Sequence, residues 1–286
     1  MKRTKSEVRY QMLEVRSTRK HTHLRSSAVI YGSSPFRSLS LFLCSSVFIC
    51  GLLFPARAAE LPNGDSLLAR LDDNAVPENK IIVAEMIIHG LRGTRTVKVK
   101  SWVSGIDRSF TEYLAPERDR GTKMLKLGDQ LWTYSPESDR TILISGHMLR
   151  QSVSGSDLSY EDLMEDPRLT NLYTATNEGT DTVIGRPAWV LELDAREPTV
   201  TYQERKVWVD KERYLALKEE RFSKSGKLLK TSEVLSMRQF DGRWLADSAV
   251  FRDALKQGGG TEFVLDSIEF NASIPDHIFS KASLRR

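Results

Sequence analysis

Cysteine is nearly missing from this 286-residue chain: the two present, Cys44 and Cys50, both fall within the first sixty residues. From residue 60 onward there is no thiol, which excludes disulfide staples, thiolate metal ligands and cysteine nucleophiles from that part of the protein. Histidine is also scarce. Of five, only His89, His147 and His277 lie beyond residue 60, each isolated, with no i,i+4 pair flanking a glutamate that would suit zinc. No G-x-S-x-G elbow accompanies His147 and its neighbours Ser145 and Ser152, so a hydrolytic site would have to be assembled in space from distant residues. Gly258-Gly259-Gly260 lacks the Lys-Ser/Thr that follows in a phosphate-binding loop and reads as a hairpin turn. The acidic run Asp157, Glu161, Asp162, Glu165 and Asp166 has no EF-hand spacing and reads as a solvated helix face. The chain thus points to a non-enzyme without cofactor or metal.

Positive charge is the next apparent abundance that dissolves on inspection. The chain is formally +4, but residues 1–59 hold ten basic residues and only Glu7 and Glu14, leaving 32 basic against 36 acidic from residue 60 on, a net −4. A net-acidic body gives no footing for nucleic acid. The basic excess belongs to a leader. Lys20, Arg25 and Arg37 precede an apolar run at residues 39–54, and Pro55-Ala56-Arg57-Ala58-Ala59 follows it. That order is the order of a cleavable secretory signal with a long n-region, cut near Ala58 or Ala59. The run falls short of the roughly 20 apolar residues that span a bilayer, so lasting membrane attachment is not expected, only peripheral or transient contact. Cys50 follows Phe48-Ile49, where a lipidation site wants small residues. The reading is residues 1–59 as signal peptide and 60–286 as one periplasmic domain.

What is plentiful is strand pattern. Leu67, Leu68 and Leu71 have helical spacing after Asn63 and Asp65, predicting one short helix over 64–73. Beyond Pro77 the period falls to two, with Val97, Val99, Ser101 and Val103 alternating with Thr96, Lys98, Lys100 and Trp102. Turn signals at Gly128-Asp129, Ser135–Ser138, Ser225-Gly226, Asp241-Gly242 and Gly258–Gly260 cut the rest into hairpins. Residues 145–177 interrupt them, and Ser159 through Met164 read there as a capped helix start. The fold class is α+β: a curved antiparallel sheet forming a half-open β-barrel, with an N-terminal helix and a helical lid insertion.

Large apolar residues then become the candidate site. Trp102, Trp132, Trp189, Trp208 and Trp244 all fall on predicted strands, while Met124, Met148, Leu149, Leu158, Leu163 and Met164 flank the insertion or lie in it. They suit either an ordinary core or an apolar cavity under the insertion, and periodicity does not separate the two. The candidate lining is Trp102, Met124, Trp132, Met148, Leu149, Leu163 and Trp208, with Gly146 and Gly155 as lid hinges.

Several blocks carry a family resemblance. Leu131-Trp132-Thr133-Tyr134-Ser135-Pro136, Arg140, Ile144-Ser145 and Gly155 through Leu163 come in the same order as in the outer-membrane lipoprotein-sorting proteins, relatives of the LolA/LolB carriers. So do Val207-Trp208-Val209-Asp210-Lys211, Tyr214-Leu215, Gly242-Arg243-Trp244-Leu245 and Ile268-Glu269-Phe270-Asn271. The chain resembles that family from about residue 64 to its C-terminus, departing where members commonly carry proline and it has Ala216 and Ala246. The resemblance implies a half-open barrel whose apolar interior shields acyl chains of a lipoprotein or lipid on the way to the outer membrane. It also implies a possible inner-membrane partner, a transporter of the RND or MMPL type. A non-carrier accessory subunit docking on such a transporter is the alternative, and a lipid or envelope hydrolase the remote one. N-terminal sequencing of the exported protein should find Ala59 or Glu60 as the first residue; an intact leader would overturn the secretory reading.

Overall fold

The computed structural model describes residues 61–75 and 79–285; the leader with its cleavage site, Cys44 and Cys50 lie outside them. The period-two segments pair into one antiparallel sheet of thirteen strands. The first six are β1 (Asn79–Gly90), β2 (Gly93–Ser104), β3 (Arg108–Ala115), β4 (Lys123–Leu127), β5 (Gln130–Ser135) and β6 (Arg140–Ile144). The other seven are β7 (Tyr173–Val183), β8 (Arg186–Ala195), β9 (Glu204–Asp210), β10 (Ala216–Phe222), β11 (Leu228–Phe240), β12 (Arg243–Asp253) and β13 (Gly260–Phe270). Their order across the sheet is β6-β5-β4-β3-β2-β1-β13-β12-β11-β10-β9-β8-β7. Two meanders, β1–β6 and β7–β13, are thus joined at a single seam, β1 against β13, and the curved sheet stays unclosed with β6 and β7 as its edges. The interruption runs from residue 145 to 172, shorter than the sequence pattern suggests, because Tyr173 to Asn177 already pair with β8.

Turn chemistry explains the hairpins. Asp241 and Gly242 both sit at positive φ, 47° and 78°, the combination that a two-residue turn needs to match strand twist. The β7–β8 reversal uses Ile184 and Gly185 the same way, with φ 46° and 73°. A β-branched residue is a costly choice there, which hides this turn from a sequence reading.

Helix α1 (Gly64–Ala75) buries Leu67, Leu68 and Leu71 against Tyr173, Leu191, Leu193, Val207 and Val209 of β7–β9. Asn63 caps it by accepting the Ser66 N–H at 3.0 Å. Asp65 instead accepts the Ala175 N–H at 2.8 Å and ties the helix to β7. The other half of the same inner face, from β1 to β6, packs Met86, Ile88, Val97, Tyr113, Met124, Leu131 and Ile144 against Val153 and its neighbours in the insertion. That insertion consists of 3₁₀ turns at Gly146–Arg150 and Val153–Gly155 and two short helices, α2 (Tyr160–Met164) and α3 (Leu169–Leu172). On the outer face, Phe110, Leu125 and Trp132 pack under the C-terminal 3₁₀ turns through Phe279 and Leu284.

One glycine is fixed by close approach. A Cβ on Gly64 would lie 2.3 Å from the Ala175 carbonyl oxygen, which belongs to the strand that Asp65 grips. Gly64→Ala should therefore push α1 off β7 and cost about 1–3 kcal/mol in urea unfolding; an unchanged midpoint would show that the helix can shift freely.

Candidate functional site

The first half of the insertion is held over the inner face by apolar packing, and its second half by charge. Register places Arg205 on β9 opposite Arg221 on β10, and Arg221 opposite Lys230 on β11. Three cations in one cross-strand row repel one another unless anions come between them. The insertion supplies two. Ser159 and Asp162 form a reciprocal cap at the start of α2, which fixes the Asp162 carboxylate. It then accepts from Lys230 Nζ at 2.5 Å, Tyr202 Oη at 2.6 Å and Arg221 Nη1 at 3.4 Å. Glu165, just after α2, pairs with Arg205 Nη2. The third anion, Glu219 on β10, bridges Arg205 at 2.6 Å and Arg221 at 2.9 Å. Arg205, only 2% exposed, also donates its Nε–H to Tyr173 Oη at 2.8 Å.

Further polar ties pin the same segment. Asp157 accepts from Thr261 Oγ1 at 2.7 Å and from the Asp253 N–H at 3.0 Å, reaching β13 and the end of β12. Asp72 of α1 accepts the N–H groups of Leu169 and Thr170, at 3.0 and 2.9 Å, at the start of α3. The acidic run expected to be a solvated helix face is thus in large part a buried latch, because the facing strands carry its counter-charges.

The latch moves proton affinities. Burial alone would raise Asp162, but the Lys230 ammonium and the hydrogen bonds from Lys230, Tyr202 and Ser159 outweigh it and hold the carboxyl down to about 2. Glu219 behaves alike: burial opposes ionisation, and Arg221 and Arg205 overcome it, again leaving a value of about 2.

Beneath residues 158–169 the inner face opens into a cleft of about 460 Å³. Val103, Ile106, Leu158, Leu163, Leu169 and Phe251 give it apolar walls, while the latch, Lys80 and Lys126 give it charge. Next to it, on β1, β12 and β13, lies a space of about 290 Å³ lined by Ala84, Ala246, Ala249, Phe251, Phe263, Val264 and Leu265. Here the residues are all apolar, and three alanines leave room that larger side chains would fill. Phe251 is a wall of both.

The residues singled out from sequence are distributed over three places. Met124 is buried in the cluster beneath the insertion, where Met148 and Leu149 of the first 3₁₀ turn pack against it. Leu163 lines the cleft and stays 37% exposed. Trp102 and Trp132 lie on the outer face under the C-terminal turns, with Lys281 Nζ 4.1 Å from the Trp132 ring. Trp208 also faces away from α1, packing with Val183, Ala188 and Val190 and donating its Nε1–H to Asp181 at 2.9 Å. Gly146 and Gly155 have φ of 55° and 73° at the two 3₁₀ turns of the insertion. Missed from sequence were Ala84, Ala246 and Ala249, whose only signal is smallness, and the cationic row, which depends on register.

Among the described residues no group of His, Cys, Asp or Glu side chains could hold a metal, and no helix is long and apolar enough to cross a membrane. His89 Nδ1 lies 3.2 Å from Thr94 Oγ1 and its Nε2 3.9 Å from Glu262, at the surface. The described histidines receive no serine hydroxyl on their rings; Ser280 and Ser283 bond to the backbone carbonyl of His277.

Removing Glu219 leaves the buried Arg205 and Arg221 facing each other with the anion between them gone and only Glu165 and Asp162 still paired to them, so Glu219→Ala should cost about 3–5 kcal/mol in denaturant unfolding. Acid should act on the same joint. Asp162 and Glu219 have folded-state values of about 2, below their ordinary 3.8 and 4.5, so their contribution is complete above pH 4.5 and drains away as pH falls toward 2. Protection of residues 157–166 from hydrogen exchange, taken relative to the intrinsic rate at each pH, should fall in that window. Protection that is flat from pH 5 to 2 would contradict the latch.

No curated protein matches the chain. Three solved structures share its fold. A DUF1329 family protein from Desulfovibrio piger has a TM-score of 0.70 at 22% identity, covering 77% of this chain and 97% of its own. A domain from Vibrio parahaemolyticus, described as of the outer membrane lipoprotein-sorting type, gives 0.67 at 24% identity, covering 78% and 98%. A LolA superfamily protein from Nitrosomonas europaea gives 0.65 at 23% identity, covering 78% and 100%. A family model described as "Uncharacterized protein" matches residues 105–286. With more than half of its length inside that match, the chain belongs to this family, and its fold is the LolA-like open barrel shared with the outer membrane lipoprotein-sorting proteins.

Proposed function

We propose that the protein is a periplasmic carrier that takes acyl chains of a lipoprotein or lipid into its inner face and passes them toward the outer membrane. The observation that carries this reading is the alanine-lined apolar space beside the latched cleft, with Phe251 common to both. An acyl chain lying along Ala84, Ala249, Phe251 and Leu265 would be removed from water at about 0.8 kcal/mol per methylene, enough to drive uptake without covalent chemistry. Leu163, exposed at the mouth, would meet the chain first. Met124, Met148 and Leu149 would form the deformable floor under the lid, since methionine adapts to irregular contacts.

Release requires the insertion to lift. Gly146 and Gly155, in a backbone region that other residues rarely enter, are the proposed pivots. The latch would keep the lid shut over the cargo until a partner competes for its charges, and an inner-membrane transporter of the RND or MMPL type is the partner we propose. A leader that directs export and is then removed completes the reading, with the working domain from residue 60.

Native mass spectrometry of the gently purified protein should find a co-purifying lipid, and a fluorescent acyl probe should bind. Ala249→Phe fills the apolar space and should weaken the probe about tenfold while leaving thermal unfolding close to that of the parent. Absence of lipid together with absence of probe binding would sink the carrier reading.

A further inference from the structure

The cleft carries a second chemical demand that the acyl-binding reading leaves unused. Its latch is balanced: Arg205, Arg221 and Lys230 face Asp162, Glu165 and Glu219. The rest of the lining is not. It holds Lys80, Lys126 and Arg108 against one carboxylate, Asp166. Arg108 is bound to Asp276 at 2.9 Å. Asp166 is engaged by the Arg168 N–H and by Asn171 Nδ2, each at 2.8 Å.

Two lysines remain, and the sheet places them in one row. Register runs Lys80 to Val103, Val103 to Ser109 and Ser109 to Lys126 across β1, β2, β3 and β4, so all four side chains stand on the inner face. Strand spacing sets the two lysine Cα atoms about 14 Å apart, a gap that two extended ammonium arms nearly close. Lys126 is 8% exposed and spends one hydrogen on the Met164 carbonyl at 3.2 Å, with Asp107 and Asp166 acting on it from a distance. Lys80 has no carboxylate partner among the described residues, and its burial pulls its proton affinity down with nothing to offset it. An ammonium held in a half-buried cleft without a counter-charge is costly unless an anion arrives.

We propose that the cleft binds the anionic headgroup of an amphiphile, a carboxylate or phosphate seated over Ser109 between Lys80 and Lys126, with the tail running past Phe251 into the alanine-lined space. This rests on the acyl-binding reading and narrows its cargo to negatively charged amphiphiles. Neutral ones of equal chain length would leave Lys80 uncompensated.

The test displaces a neutral fluorescent acyl probe from the purified exported protein with four competitors. These are a long-chain fatty acid, a lysophosphatidic acid, the fatty alcohol of matching length, and inorganic phosphate. The two anionic amphiphiles should compete about tenfold better than the alcohol, and Lys80→Met should bring all three to parity while the alcohol keeps its affinity. Inorganic phosphate displacing the probe as well as the lysophospholipid would assign the site to a free anion and overturn the amphiphile. Equal competition by alcohol and acid in the parent protein, or a preference that survives Lys80→Met, would overturn the headgroup site while leaving acyl binding standing. A probe that never binds would instead fail the carrier reading itself. Lys80→Arg, which keeps the charge, should retain the anionic preference and separates lost charge from lost fold.

Discussion

Arg205, Arg221 and Lys230 stand shoulder to shoulder on three neighbouring strands, and the rest of the inner face is arranged around neutralising them. Left alone, that row would push the strands apart or draw in water. Glu219 contributes one counter-charge from within the sheet, and Asp162 and Glu165 come from the insertion that links the two sheet edges. The insertion therefore lies where it does because its carboxylates have a single place to go. A hydrophobic lid could slide along a greasy surface, whereas one with three hydrogen bonds converging on Asp162 is indexed. Such networks contribute little net stability once desolvation is counted, and their worth lies in specifying one arrangement.

That indexing divides the inner face into territories. Helix α1 fills the curve over β7–β9, and the first half of the insertion fills the curve over β1–β6. Between them, the second half of the insertion is held off the sheet by polar contacts, and small side chains on β1 and β12 keep the neighbouring surface open. The cleft is what remains when two well-packed lobes meet a spacer made of ion pairs.

Sequence reveals the elements of this design better than their placement. The hairpins at Gly128-Asp129 and Asp241-Gly242, the capped start at Ser159 and the α1 leucines follow from local chemistry and lie in the structure where that chemistry puts them. The β7–β8 turn escapes because Ile184 is an unfavoured residue for its backbone angle. Trp102 alternates with Val97, Val99 and Val103, so parity already separates it from the valine face that packs beneath the insertion. Its size suits a cavity wall, but strand parity turns it to the outer face. The cationic row and the Lys80 to Lys126 row are beyond such reasoning, since each joins residues far apart in sequence through a register that only the paired sheet displays.

The seam between β1 and β13 has a consequence in time as well as in space. Each meander can assemble from neighbours in sequence, but the two become one sheet only when the strand nearest the C-terminus pairs with the strand nearest the N-terminus. Ala84 comes from one side of that seam and Phe263, Val264 and Leu265 from the other, with Ala246, Ala249 and Phe251 one strand further on. The apolar space therefore cannot be complete before β13 has paired with β1. A growing chain has no such space until its final strand is available, and half-made copies carry unpaired edges in its place.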